Sequence, residues 1–277
     1  MSLTGNAALA GVMGWPISHS RSPRLHGYWL EQYGIDGAYV PLAVAPDRFG
    51  DALKGLQAAG FRGVNVTVPH KEAAFRACDT IDPDAKRIGA VNTILFGDDG
   101  SVQGSNTDAF GFIENIRQTA DWPGGVAVVL GAGGAARAIC VALIDAGATE
   151  IRLINRTKSR AEDLSHEFGT IIRAYDWENR SDAQIDASLL VNSTSLGMTG
   201  QPPLDINLDR LPASAIVNDI VYAPLETPLL AAARKRGNIV VDGLGMLLHQ
   251  ARPGFEAWFG TAPAVTDALR NFVLGPK

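Results

Sequence analysis

The feature that most limits the folds open to this chain is a short apolar run ending in glycine. Val126-Ala127-Val128-Val129-Leu130 is followed at once by Gly131-Ala132-Gly133-Gly134-Ala135-Ala136. An apolar run without alternation reads as a strand buried on both faces, as in a parallel sheet covered by helices. The glycine string fits G-x-G-x-x-G/A, with Ala136 at the third, small position. At a helix N-terminus, backbone N–H groups reach a pyrophosphate only where no Cβ stands in the way. The strand, this turn and a Gly/Ala-rich helix from Gly134 to about Ala146, closed by Gly147, predict a dinucleotide site at Gly131, Ala132, Gly133, Gly134 and Ala135.

The end of the next strand, Ile151–Ile154, bears on which dinucleotide. An NAD site places Asp or Glu there to bind the ribose 2′-hydroxyl. Here the residues are Asn155-Arg156-Thr157-Lys158-Ser159-Arg160, with no carboxylate. Two guanidiniums and a hydroxyl suit a 2′-phosphate. The plain alternative is a solvated basic helix start. NADP(H) is the predicted cofactor, held by Asn155, Arg156, Thr157 and Arg160.

Short apolar runs alternate with helix-period segments along the 277 residues, which predicts an α/β protein with parallel sheets and two domains. Early on, a strand ends near Gly14 and a helix opens at Ser22-Pro23, with Ser22 as its cap. Gly63–Val68 alternates, with Val64, Val66 and Val68 on one face, Asn65 and Thr67 on the other, and Pro69 as the stop. Val91–Phe96 and Ser101–Gly104 flank Gly97-Asp98-Asp99-Gly100 as a hairpin. Further strands are expected at Leu189–Val191, Ile216–Val221 and Ile239–Val241. Beyond Gly245 the chain reads as helical, interrupted at Pro253.

Composition excludes several classes. The chain holds 24 Lys+Arg against 29 Asp+Glu, a net charge of −5, which argues against a nucleic-acid partner. Cys78 and Cys140 are far apart and form no C-x-x-C, as expected of packing thiols in apolar helical stretches and of a reducing compartment. The first basic residue is Arg21, so no secretory signal is expected. The charge-free stretches Met1–Ser20 and Ala187–Leu204 carry too many polar residues to face lipid. A cytoplasmic protein without a membrane segment is the expectation. His19, His26, His70, His166 and His249 lack metal-ligand spacing, so no metal site is predicted, and His70 is read as structural. Gly-x-Ser-x-Gly does not occur, which leaves an α/β-hydrolase unsupported.

Four polar groups fall at predicted element ends, where sheet proteins hold ligands. Ser20 and Ser22 lie in Pro16–Pro23, Thr67 and Lys71 in Asn65–Lys71, Asn92 in Gly89–Thr93, and Asp108 closes Gly104–Asp108. Taken singly, each has a structural explanation: Ser22 and Asp108 as helix caps, Lys71 as surface.

Together, Pro-Ile-Ser-His-Ser-Arg-Ser-Pro, Asn-Val-Thr-Val-Pro-His-Lys, Gly-Ala-Val-Asn-Thr and Asn-Thr-Asp resemble the shikimate dehydrogenase family. Gly-Ala-Gly-Gly-Ala-Ala-Arg, Asn-Arg-Thr-Lys-Ser-Arg, Asn-Ser-Thr-Ser-Leu-Gly-Met (192–198) and Gly-Met-Leu-Leu-His-Gln (245–250) continue the resemblance in order. It implies a substrate-binding α/β domain over 1–107, completed by C-terminal helices over 245–277. It implies a Rossmann-type NADP-binding domain over 108–244, with a cleft between the two. By the same resemblance Ser20 and Ser22 bind the substrate carboxylate, and Thr67, Asn92 and Gln250 its ring hydroxyls. Lys71 and Asp108 flank the reacting C3 oxygen as the catalytic pair, Tyr222 closes the site, and Thr194 and Gly245 border the cofactor.

The implied reaction is the reversible NADPH-dependent reduction of 3-dehydroshikimate to shikimate, a step of aromatic amino-acid biosynthesis. Its partner is a small molecule, and the chain acts as a monomer or homodimer. Quinate-accepting, NAD-using relatives tend to carry an acid near residues 155–160, and its absence here favours the NADP-dependent branch. A non-catalytic NADP-binding sensor of the same fold is the rival from another class. The joint presence of Lys71 and Asp108 counts against it.

Overall fold

The computed structural model describes residues 3–275. The first two residues of the charge-free Met1–Ser20 stretch and the last two of the 245–277 segment lie outside the described residues. The chain divides into two compact units, one formed by residues up to Thr107 together with those from Leu247 onward, the other by Asp108–Met246.

The first unit runs β1 (Ala8–Gly14), α1 (Ser22–Gln32), β2 (Gly37–Ala43), α2 (Phe49–Ala58), β3 (Phe61–Val66), α3 (Lys71–Ala77), β4 (Thr80–Ile81), α4 (Pro83–Ile88), β5 (Thr93–Phe96) and β6 (Val102–Ser105). Its sheet has the order β2-β1-β3-β5-β6-β4. This sheet is mixed rather than parallel: β5 runs antiparallel to both β3 and β6. The cause is the tight Gly97–Gly100 connection, since a short turn can join only antiparallel neighbours. The core under this sheet gathers Met13, Phe49, Leu53, Val64, Val66, Ala74, Val91 and Ile94.

Three local readings need correction here. Ser22 is the first residue of α1 rather than its cap; Arg21 holds the cap position without a side-chain bond, and Ser22 is buried. The alternating stretch leaves the sheet at Val66, so Val68 is 69% exposed and does not share the buried face of Val64 and Val66. Asn65, on the face opposite Val64 and Val66 as expected, is itself buried and hydrogen-bonded to Tyr39, Asn92 and Thr93. Cys78 follows α3 in extended backbone rather than lying in a helix.

The second unit opens with α5 (Asp108–Thr119) and continues through β7 (Gly125–Leu130), α6 (Gly134–Asp145), β8 (Ala148–Ile154), α7 (Lys158–Phe168), β9 (Ile172–Tyr175), β10 (Leu189–Asn192), β11 (Ile216–Asp219), α8 (Pro228–Lys235) and β12 (Ile239–Val241). All its strand pairs are parallel, in the order β12-β11-β10-β7-β8-β9. Numbered within the unit this is 3-2-1-4-5-6 read from the far edge, the doubly wound arrangement whose order reverses between β7 and β10. The expected strand at Ile216–Val221 stops at Asp219, where the buried carboxylate accepts the Val221 N–H and turns the chain.

Two helices finish the chain, α9 (Leu244–Phe259) and α10 (Asp267–Leu274). Pro253 does not interrupt α9 as expected. It forgoes one backbone bond, but Leu248, Ala251, Phe255 and Trp258 around it are all buried and hold the helix together. Trp258 donates its indole N–H to the Ile94 carbonyl at 3.0 Å.

Candidate functional site

In the first unit, the predicted polar residues gather where β1, β3 and β5 meet their loops. The Thr67 N–H donates to the Met13 carbonyl at 2.9 Å, and the Trp15 N–H to the Val68 carbonyl at 3.1 Å. This pairs the loop after β1 with the loop after β3. Ser20 stands on the first of these loops and Ser22 opens α1 at its end; the Ser22 N–H donates to Ser20 Oγ at 3.3 Å. Lys71 opens α3 and is half-buried; its carbonyl accepts the Val91 N–H at 3.1 Å. His70, just before it, hydrogen-bonds the Val44 carbonyl through Nε2 at 2.8 Å and stacks on Phe49.

Asn92 is buried at the next position. Its Oδ1 accepts from the Thr107 N–H at 2.9 Å and from Thr93 Oγ1 at 2.9 Å. Its carbonyl accepts the Val66 N–H at 2.7 Å. Two neighbouring residues, Val91 and Asn92, therefore fix the backbone at Lys71 and at Thr107, the residue that precedes Asp108. Gln250 lies in α9, where its Nε2 donates to the Leu247 carbonyl at 3.1 Å. Tyr39 donates to Asn65 Oδ1 at 2.6 Å inside this network. Sequence reading missed Tyr39; the signal it offered was a lone tyrosine in an otherwise aliphatic run.

In the second unit, a pocket opens at the reversal of strand order. Gly131, Ala132 and Gly133 line it after β7, Asn155 and Arg156 after β8, and Ser193–Leu196 after β10. Gly131 has φ +104°, and a Cβ there would stand 2.7 Å from Ser193 Oγ and 3.0 Å from Thr194 Cγ2. The Gly131 N–H donates to the Ile154 carbonyl at 2.7 Å, and Ser193 Oγ to the Leu130 carbonyl at 2.7 Å. Gly133 and Gly134 differ: a Cβ on either would meet nothing within 4 Å. That open space lies over the first turn of α6, whose N–H groups have no intrahelical partner. A dinucleotide pyrophosphate fits this cradle on size and on charge. Ala135 follows in the same turn.

The basic run after β8 is divided in its commitments. Lys158 pairs with Asp176 at 3.0 Å. Arg156 and Arg160 are exposed, and among the described residues neither pairs with a carboxylate. Asn155 donates to the Thr157 carbonyl at 2.9 Å and shapes the turn that presents them. Trp177 also lines the pocket, with the Arg180 guanidinium 5.2 Å from its ring centre. No periodic pattern marks Trp177 in the sequence, and it went unforeseen.

Thr194 is held from below. Asn192 Oδ1 accepts from its N–H at 3.1 Å and from its Oγ1 at 2.7 Å. Asn192 Nδ2 in turn donates to Asp219 Oδ1 at 2.9 Å, and Thr227 Oγ1 to Asp219 Oδ2 at 2.6 Å. Burial pushes the Asp219 carboxyl up to about 6, against the pull of the Thr227, Val221 and Asn192 donors. Asp219 was absorbed into a predicted strand, although a carboxylate inside an apolar run is itself a signal.

Tyr222 follows β11, just before the cis Ala223–Pro224 bond. Gly245 is buried in the first turn of α9, where a Cβ would overlap Asn115 Oδ1. Asn115 Nδ2 donates to the Asp242 carbonyl at 2.7 Å. Among the described residues no group of three or more His, Cys, Asp or Glu is placed to hold a metal, and no helix is long and apolar enough to cross a membrane.

Comparison with known proteins bears directly on both units. Residues 12–94 match the shikimate dehydrogenase substrate binding domain, and residues 116–197 match the shikimate / quinate 5-dehydrogenase family. A protein of Paramagnetospirillum magneticum named shikimate dehydrogenase (NADP(+)) is 59% identical, over 98% of this chain and 100% of its own. A protein of the same name from Rhodospirillum rubrum is 59% identical, over 99% of each chain. The solved structure of shikimate 5-dehydrogenase from Thermus thermophilus, in complex with NADP(H) and shikimate, superposes with a TM-score of 0.87. It shares 38% identity and covers 96% of this chain and 98% of its own. With its pattern of motifs, two sheets and glycine cradle matched along nearly its whole length, the chain belongs to the shikimate dehydrogenase family.

Proposed function

We propose that this chain catalyses the reversible reduction of 3-dehydroshikimate to shikimate with NADPH. The observation that carries the reading is the open cradle over Gly133 and Gly134, in a pocket lined also by Arg156, whose guanidinium is uncommitted. Relatives named for NADP(+) at 59% identity support the same reading. NADPH, when bound, supplies the hydride.

The chain's own groups bind, orient and manage the proton. Gly131, Ala132, Gly133, Gly134 and Ala135 hold the pyrophosphate, with Thr194 and Gly245 bordering the cofactor. Asn155, Arg156, Thr157 and Arg160 hold the 2′-phosphate. Residues up to Thr107 and from Leu247 onward form the substrate-binding part. There Ser20 and Ser22 take the carboxylate, and Thr67, Asn92 and Gln250 the ring hydroxyls. Tyr222 also contacts the substrate.

As C3 gains hydride its oxygen becomes an alkoxide and takes a proton from the Lys71 ammonium, a compact donor. Asp108 is the second member of the proposed catalytic pair. The free thiols Cys78 and Cys140 suit a reducing cytoplasm.

The test is NADPH formation, followed by near-ultraviolet absorbance, with shikimate and quinate each offered NADP+ and NAD+. Shikimate with NADP+ is expected to give the highest kcat/KM. Turnover only with quinate or only with NAD+ overturns the reading, and binding of NADP+ without turnover marks a sensor.

A further inference from the structure

The pocket at the reversal of strand order has one aromatic surface, Trp177, and it stands beyond the basic turn. Trp177 follows the last residue of β9 by two positions, and β9 lies beside β8 on the side away from β7. It is held within its own helical turn. The Arg180 guanidinium lies 5.2 Å from the ring centre. Arg180 Nη1 donates to the Trp177 carbonyl at 2.9 Å, Nε to the Asp205 carbonyl at 2.7 Å, and Nη2 to Asp205 Oδ2 at 3.0 Å. All three nitrogens are thereby engaged within the chain, and the indole packs against the apolar core that includes Leu130, Ile154 and Leu190.

One group of Trp177 is left over. Trp29, Trp122 and Trp258 each donate the indole N–H to an oxygen of the chain, at 3.0 Å in every case. A tryptophan that packs on a core ordinarily finds such a partner. Trp177 is half-buried, yet among the described residues its N–H has no acceptor, and the nitrogen stays accessible.

We propose that Trp177 binds the adenine base of the dinucleotide, which packs against the indole. This rests on the reading of the glycine cradle as the NADP(H) site. A dinucleotide with its pyrophosphate over Gly133 and Gly134 sends its two halves to opposite sides of the switch point. With the 2′-phosphate at the turn after β8, the adenosine half falls on the β9 side, where Trp177 stands. Bases pack favourably on aromatic side chains, and a ring already fixed loses little freedom when the base arrives. The free N–H suits the ring nitrogens of adenine, which accept hydrogen bonds. Arg180 is then a positioning residue for the indole and not a phosphate ligand, because its donors are already in use.

The test is direct binding of 2′,5′-ADP, the adenosine half without nicotinamide, measured by calorimetry, with KM for NADP+ and for NAD+ alongside. Trp177→Ala is expected to weaken 2′,5′-ADP about five- to hundredfold. It should raise KM for NADP+ and NAD+ by a common factor, since both carry adenine, and leave kcat near the parent's. Affinity for 2′,5′-ADP within about twofold of the parent's overturns the inference. So does a loss for NADP+ much larger than that for NAD+, which would report a displaced Arg156 rather than a missing base contact. If Arg156→Ala weakens NADP+ while Trp177→Ala changes nothing, the cofactor site stands and the adenine assignment falls. A parent that binds neither 2′,5′-ADP nor NADP+ overturns both. Should Trp177→Ala fold poorly, Trp177→Phe keeps a ring at the position and tryptophan fluorescence reads the contact. Adding 2′,5′-ADP should change the parent's emission and leave that of Trp177→Phe nearly unaltered; the same response in both, or none in the parent, overturns the inference.

Discussion

Asn192 Nδ2 donates to Asp219 Oδ1 at 2.9 Å, joining the last residue of β10 to the last residue of β11. Asn192 then holds Thr194 with its other amide atom. A fully buried carboxylate thus underlies the loop that forms one wall of the nucleotide pocket. Its pKa of about 6 lies above the usual carboxylate value because burial disfavours the charge.

The sign of the resulting pH dependence follows. Between about pH 4 and pH 6 the folded chain binds more proton at Asp219 than the unfolded chain, so this residue's contribution falls as pH rises through that window. The full change is on the order of 3 kcal/mol. Asp219→Asn should give a stability profile that is flatter than the parent's from pH 4 to 6 once the shared slope is subtracted. Denaturant melts at several pH values check this, and parallel profiles would exclude Asp219 as the titrating group.

Lys71→Ala should lower kcat by ~10²–10⁴, the usual worth of acid–base help. KM for shikimate should change much less. A raised KM at constant kcat would make Lys71 a binding residue and remove it from the proton step.

Replacing Arg156 and Arg160 together should raise KM for NADP+ at least about tenfold, because hydrogen bonds to charged groups contribute about 1.5–3 kcal/mol each. KM for NAD+ should move little. Lys158 serves as the control cation: it is already paired with Asp176, so Lys158→Ala should disturb NADP+ less. Equal losses for the two dinucleotides would defeat the 2′-phosphate assignment.

Gly245→Ala should cost about 1–3 kcal/mol, the ordinary penalty of overpacking, because the new Cβ overlaps Asn115 Oδ1. Calorimetry reads this as a lowered Tm. Adding Asn115→Ala should recover part of the loss, since the clash is then gone although the bond to Asp242 goes too. A Gly245→Ala protein that melts like its parent would show that the contact yields freely.

Local sequence revealed the second sheet better than the first. β7, β10 and β11 are largely buried parallel strands, and a run such as Val126–Leu130 announces itself through composition alone. β4, with two residues, is too short to carry a pattern, and β2 carries Pro41 in its middle. Its edge position explains the tolerance: an edge strand leaves one side of its backbone unpaired. Of the candidate site residues, those of the glycine turn stood out because backbone geometry demands small residues there, whereas the polar candidates of the first unit stood out only through the family resemblance. Tyr39, Trp177 and Asp219 did not. For Tyr39 and Asp219 the reason is that their importance lies in partners distant along the chain, Asn65 for the first and Asn192 for the second.

In the proposed reading, neighbouring strands take separate decisions about the nucleotide. The diphosphate would meet the loop after β7, and the identifying 2′-phosphate the loop after β8 beside it. Coenzyme preference can therefore be rewritten by exchanging a few residues around Arg156, with the glycine turn left untouched, which makes this short segment the natural starting point for redesign toward NAD+.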